Sequence, residues 1–236
     1  DSKSQLGKYF DLMSSRLRNY TCNDDSMETT APISQYNISL ETILGDSFND
    51  EMINMENDNS TYTVNVLLDK DNAKIWTVDN FVKEEECDVL MKYGRPRLRR
   101  ATVAAEDGTS IVSEARKANQ AGYNMNKKRP SEDPLWPLFN RVLGLTNYHA
   151  GYSLEPPGQE DFTIIQYNPD DQYTPHCDGA CNNEMHVPTG RVATAVMYCK
   201  TAEKGGATTF TKSDIFVKPK VGSVTFFTYK GSDGRM

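Results

Sequence analysis

Arg191-Val-Ala-Thr-Ala-Val-Met-Tyr-Cys199, taken with Ser223-Val-Thr-Phe-Phe-Thr-Tyr229, decides the fold. Both stretches alternate or run apolar over a strand's length, and β-branched and aromatic residues fill them. Outward from these two, residues 162–167, 208–210 and 215–217 read the same way, each bounded by Gly, Pro or Asp clusters. Many short strands after Gly144 predict a sandwich or barrel, not a parallel sheet. Upstream, residues 61–68 and 74–78 are further predicted strands. Residues 83–93 are a predicted helix stopped by Gly94 and Pro96, and residues 136–143 a short helix started by Pro134. The fold class is mainly β with flanking helices (α+β).

The chain has 236 residues, 37% hydrophobic and 25% charged, enough for one large domain or a domain with an extension. No run approaches the ~20 apolar residues of a membrane span, so membrane contact is not indicated. Net charge is -7, but residues 21–63 hold nine acids and no Lys or Arg. The remainder is close to neutral, which argues against a nucleic-acid binder. Residues 4–18 carry an apolar face through Leu6, Tyr9, Phe10, Met13 and Leu17, and a helix packing on the domain is expected, an oligomer contact being the alternative. The acidic block is expected to be loosely ordered, with a short helix permitted near 39–55. Residues 1–61 are therefore set apart from a main domain over 62–236. The sequence opens at Asp1 without a signal-like apolar stretch, and a leader is expected to have been removed.

Of five cysteines, Cys22, Cys87, Cys177, Cys181 and Cys199, none forms a C-x-x-C pair, which argues against zinc. The odd count leaves a thiol free or paired outside the chain. Sequons at Asn19, Asn37 and Asn59 point to a glycoprotein of the secretory pathway, in the endoplasmic reticulum lumen or outside the cell.

The chemistry lies in Gln166-Tyr-Asn-Pro-Asp-Asp-Gln-Tyr-Thr-Pro-His-Cys-Asp178. Two residues apart on a strand, His176 and Asp178 would present an imidazole and a carboxylate side by side. That is two-thirds of the two-His-one-carboxylate set that suits Fe(II). The order of this stretch, then 191–199, Glu203-Lys-Gly-Gly-Ala-Thr-Thr-Phe210 and 216–227, resembles the catalytic domain of prolyl 4-hydroxylases of the collagen and endoplasmic-reticulum type. Residues 74–90 resemble that family's first strand and helix. The resemblance covers roughly residues 74–236 and leaves the first 73 unexplained.

The resemblance implies a double-stranded β-helix (jelly roll, cupin-like) core and an Fe(II)- and 2-oxoglutarate-dependent dioxygenase. The implied activity is peptidyl-proline 4-hydroxylase: O2 is consumed, succinate and CO2 are released, and ascorbate (vitamin C) is the reductant. The implied partner is a proline-rich or collagen-like polypeptide; the oligomeric state is left open. His176 and Asp178 match metal ligands, and Tyr167 and Thr208 match groups that hold 2-oxoglutarate. Tyr173, Arg116, Glu160 and Arg191 match the peptide site. Tyr198 reads as a core tyrosine. Residues 92–129, with ten Lys and Arg against three acids, read as strand then long loop: a solvated face, or by resemblance a peptide lid. Pairing of Cys177 with Cys181 stays open. The family's second ligating His and a cosubstrate-pairing Lys would follow the strand ending near Tyr229; neither His149 nor His186 stands there, so truncation and near-inactivity of the 236 residues are expected. The alternatives are a related dioxygenase acting on another residue and a non-catalytic peptide-binding relative.

Overall fold

A computed structural model of the chain describes residues 13–22, 25–45, 60–104, 109–126, 132–179, 185, 187 and 190–231. Its centre is a five-stranded sheet in the order β1-β2-β3-β12-β9, every pair antiparallel. The strands are β1 (Ser34–Ser39), β2 (Thr61–Lys70), β3 (Ala73–Val78), β9 (Ala193–Met197) and β12 (Val224–Thr228). A second sheet joins β4 (Arg99–Arg100), β7 (Asn119–Tyr123) and β8 (Phe162–Gln166). Among the described residues, two hairpins complete the β content: β5 (Thr102–Ala104) with β6 (Ser110–Val112), and β10 (Thr208–Phe210) with β11 (Ile215–Val217). Among the described residues the α-helices are α1 (Ser15–Arg18), α2 (Leu40–Leu44), α3 (Glu84–Gly94) and α4 (Trp136–Ala150). The chain is mainly β with flanking helices, as the alternation predicts.

Strand alternation gives the central sheet two different faces. Val64, Val66, Trp76, Val78, Val224 and Phe226 face the helices and form the main core with Leu90, Leu138, Phe139 and Leu145; Ala193, Ala195 and Met197 pack against it. The opposite face carries Leu67 and Ile75, which meet Ile215 and Val217 of the β10–β11 hairpin, with Phe210 and Phe227 against them. Polar residues share that second face, and the candidate site is built there.

Beneath the helices lies a buried ion pair. Arg141, fully buried, donates to Glu86 at 2.6 Å and to the Phe81 carbonyl at 3.2 Å. Glu86 also accepts the Lys83 N–H at 2.8 Å, closing the first turn of α3. Removing one member of such a pair costs about 3–5 kcal/mol, because the other charge is left without compensation. A disulfide between Cys87 and Cys199 ties α3 to the end of β9. Cys177 is also disulfide-bonded, and Cys22 is free and exposed.

Two expectations need correction. Residues 34–45, expected to be loosely ordered, are packed structure: β1 is the outer strand of the sheet, and Ile38, Leu40, Ile43 and Leu44 are buried. The many acids misled, because Glu41 sits on the exposed side of α2 while the apolar residues point inward. The helix begun at Trp136 does not stop at Gly144 but runs to Ala150, ending at Gly151 in the left-handed region. Gly144 is an approach point, since a Cβ there would lie 2.3 Å from the Ile43 carbonyl oxygen. The helix expected over 4–18 is described only from Ser15 to Arg18, and most of the stretch beyond α2 also lies outside the described residues.

Candidate active site

The segment 172–179 enters the site alongside residues 115–117. Arg116 and Tyr173 form an isolated antiparallel bridge, Thr174 donates its N–H to the Ala115 carbonyl, and Lys117 donates to the Gln172 carbonyl, both at 2.9 Å. His176 and Asp178 follow this bridge on an extended loop, not within a strand as expected. The juxtaposition holds nonetheless, with His176 Nε2 at 2.9 Å from Asp178 Oδ1. His176 Nδ1 lies 2.8 Å from the Thr174 carbonyl. A carbonyl can only accept, so Nδ1 carries the proton and donates. In a neutral ring that leaves the Nε2 lone pair directed at a carboxylate oxygen. Two acceptors so placed form an edge that fits a shared cation: ligands at about 2.1 Å and a right angle stand roughly 3.0 Å apart. The backbone carbonyl on the far ring nitrogen is the usual outer support of a metal-binding histidine. Among the described residues, no group of three or more His, Cys, Asp or Glu is placed to hold a metal. His186 and Cys181 lie outside them.

Asp178 is fixed from several sides. Burial works to raise its carboxyl, but the His176 ring beside it, a hydrogen bond from Thr194 and the charge of Arg191 outweigh burial and hold it below its ordinary value. Thr194 also lies 3.3 Å from the Tyr229 hydroxyl. Burial pushes the Tyr229 phenol up to about 12, so it stays a neutral hydrogen-bonding group at physiological pH. Gly179 makes room for this arrangement, since a Cβ there would lie 2.5 Å from the Tyr229 ring.

The expected peptide-site residues surround the pair. The Tyr173 ring stacks on His176 with centroids 3.5 Å apart, so the imidazole covers one face of it. The Arg116 guanidinium lies 5.0 Å from the Tyr173 centroid and donates to the Thr102 carbonyl at 2.9 Å. Arg191 grips Glu160 through two nitrogens, with Nη2 to Oε2 at 2.8 Å, and its Nη1 lies 3.4 Å from the Asp178 carbonyl. Tyr167 is half-exposed; desolvation raises its phenol while Arg116 pulls it down, and the net is upward.

Thr208 stands apart from this cluster. Its hydroxyl is 2.9 Å from the Tyr198 hydroxyl, which is 3.1 Å from Thr225 Oγ1. Tyr198, expected to be ordinary core, is the centre of this hydroxyl group. Tyr198 directly follows β9 in the same alternating phase as Thr194, four residues or about 13 Å further along. Sequence reading missed Thr194, Tyr198, Thr225 and Tyr229. The signal available was their shared period-two phase along two paired strands and the residue that follows each.

No family model matches the sequence. Among curated proteins, the chain is 28% identical over 140 residues to a probable prolyl 4-hydroxylase 7 of Arabidopsis thaliana, covering 58% of this chain and 41% of that protein. It is 29% identical over 167 residues to prolyl 4-hydroxylase subunit alpha-1 of Rattus norvegicus, covering 66% of this chain and 29% of that protein. The alpha-3 subunit of Mus musculus matches at 29% over 139 residues, 56% of this chain and 23% of the subunit. The chain thus spans less than half the length of these relatives. A solved viral collagen prolyl hydroxylase, from Paramecium Bursaria Chlorella virus-1 in a 2OG complex, aligns with a TM-score of 0.48 and 21% identity over 68% of this chain and 81% of that one. The resemblance read from the sequence holds: the chain is similar to prolyl 4-hydroxylases.

Proposed function

We propose that the chain carries the catalytic domain of a peptidyl-proline 4-hydroxylase that uses Fe(II), O2 and 2-oxoglutarate. The supporting observation is the His176–Asp178 pair at 2.9 Å, with the far imidazole nitrogen held by a backbone carbonyl. Its place beside a two-faced antiparallel sheet fits a jelly-roll core, with the β10–β11 hairpin covering one face. Bound Fe(II) would supply oxygen activation coupled to loss of CO2 from 2-oxoglutarate. The protein's own residues prepare the site. His176 and Asp178 would hold the metal, with Thr174 and Thr194 fixing their orientation. The Tyr167 phenol, kept protonated, donates to a carboxylate cosubstrate. The Thr208 hydroxyl of the β10–β11 hairpin meets that of Tyr198, and a dicarboxylate between this pair and the His176–Asp178 cluster would have a donor at either end. Arg116 and the Arg191–Glu160 pair line the approach of a proline-rich or collagen-like peptide, with the Tyr173 side chain beside them to pack on the apolar ring. Ascorbate would keep the metal reduced between turnovers. The Cys87–Cys199 disulfide and the sequons at Asn19 and Asn37 support a place in the secretory pathway.

The test is Asp178→Ala in the protein that carries this chain, assayed with proline-rich peptides for succinate and a hydroxylated product. Turnover should be lost while the melting temperature stays within a few degrees. Normal turnover by the variant would remove Asp178 from the site. Succinate release without peptide oxidation would favour a different acceptor residue, and peptide binding without 2-oxoglutarate consumption would favour a binding module.

A further inference from the structure

Residues 14–22 and 25–33 run past the outer side of the β10–β11 hairpin and bond its turn and β11. At the hairpin turn, Ser14 hydrogen-bonds Asp214, and Arg16 donates to the Asp214 carbonyl at 2.6 Å. Along β11, Thr30 donates its N–H to the Phe216 carbonyl, and its hydroxyl accepts the Phe216 N–H, both at 2.9 Å. The Thr29 hydroxyl accepts the Lys218 N–H at 3.1 Å, and Tyr20 meets Phe216 edge-on at 5.0 Å. At the other end, Cys22 packs so tightly on Gly205, which is in the left-handed region, that a Cβ there would lie 2.8 Å from the cysteine's own.

A two-stranded ribbon with three residues a side has little stability of its own. Its outer strand also presents unpaired backbone groups. The segment answers both deficits, with two threonine hydroxyls standing in for ladder carbonyls. The hairpin begins with Thr208, whose hydroxyl meets Tyr198. We infer that residues 14–22 and 25–33 form a strap that sets the position of Thr208 and thereby the affinity for the dicarboxylate cosubstrate, with Thr30 as its central positioning residue. This rests on the 2-oxoglutarate reading given above.

Thr30→Val keeps the shape of the side chain and deletes the acceptor for the Phe216 N–H, whereas Thr30→Ser keeps the acceptor. In the protein carrying this chain, Thr30→Val is expected to raise the KM for 2-oxoglutarate three- to tenfold. The kcat should stay within twofold and the peptide KM unchanged, and Thr30→Ser should behave as the parent. Amide hydrogen exchange over residues 208–217 should quicken in the Val variant alone. Unchanged exchange overturns the strap. So does faster exchange with an unchanged 2-oxoglutarate KM, or a loss spread equally over kcat, both KM values and the melting temperature. If the parent binds no 2-oxoglutarate at all, the functional reading falls, while the exchange measurement still decides whether the strap orders the hairpin.

Discussion

His149 shows how far a single side chain can be moved by its surroundings. It hydrogen-bonds the Tyr36 hydroxyl at 2.7 Å and packs against the Trp76 ring at 5.0 Å and the Tyr148 ring at 4.9 Å. Burial lowers its pKa to about 4. The unfolded chain, with an ordinary histidine near 6.5, therefore takes up the proton first as pH falls. The stability that comes from keeping His149 neutral is complete above about pH 6.5 and is lost progressively towards pH 4. Residual solvent access reduces it to on the order of 1–2 kcal/mol. Urea midpoints measured from pH 7 to pH 4.5 should fall, and His149→Phe should flatten that slope; an equal slope in both proteins would place the titration elsewhere. His176 and Asp178 could be found in the sequence because both groups sit within three residues of one another. The surroundings of His149 could not, because Tyr36, Trp76 and His149 meet only through tertiary packing.

At the level of elements, strands were legible where period-two alternation was strong, as in β2, β3, β9 and β12. The packed N-terminal segment was not, because a count of charges is blind to direction. Ile43 is buried on the inner side of α2, facing α4 across Gly144. Ile43→Ala should cost about 2–4 kcal/mol, the range for deleting a buried aliphatic side chain without refilling the space. A loss below about 0.5 kcal/mol in chemical denaturation would return α2 to the status of a loose appendage. The same directional rule hid Thr194, Tyr198, Thr225 and Tyr229. Each reads as one more strand residue until β9 and β12 are paired in register, which brings Thr194 opposite Phe227 and Val196 opposite Thr225.

For the whole molecule, the Cys87–Cys199 bond closes a loop of 112 residues. Chain-entropy arguments give about 4–5 kcal/mol for a loop of this size, and measured cases usually deliver less. The double variant C87A/C199A should therefore unfold at lower denaturant, by about 2–4 kcal/mol. Equal stability would mean that helix packing alone holds α3 in place. Sequence could not assign this bond, since the two cysteines stand 112 residues apart and only the fold brings them together.

The order of the central sheet has a further consequence, for the time course of synthesis. Strand β12 lies between β3 and β9 and pairs with both, yet it is made roughly 150 residues after β3. At 5–20 residues per second, the inner edge of β3 waits on the order of ten seconds for its neighbour. Until then the β1-β2-β3 meander offers a row of open backbone groups, and Trp76 and Val78 have only part of their cover. The nascent chain is therefore most vulnerable to mispairing while residues 79–223 are being translated, and a chaperone that shields strand edges would do its work in that interval.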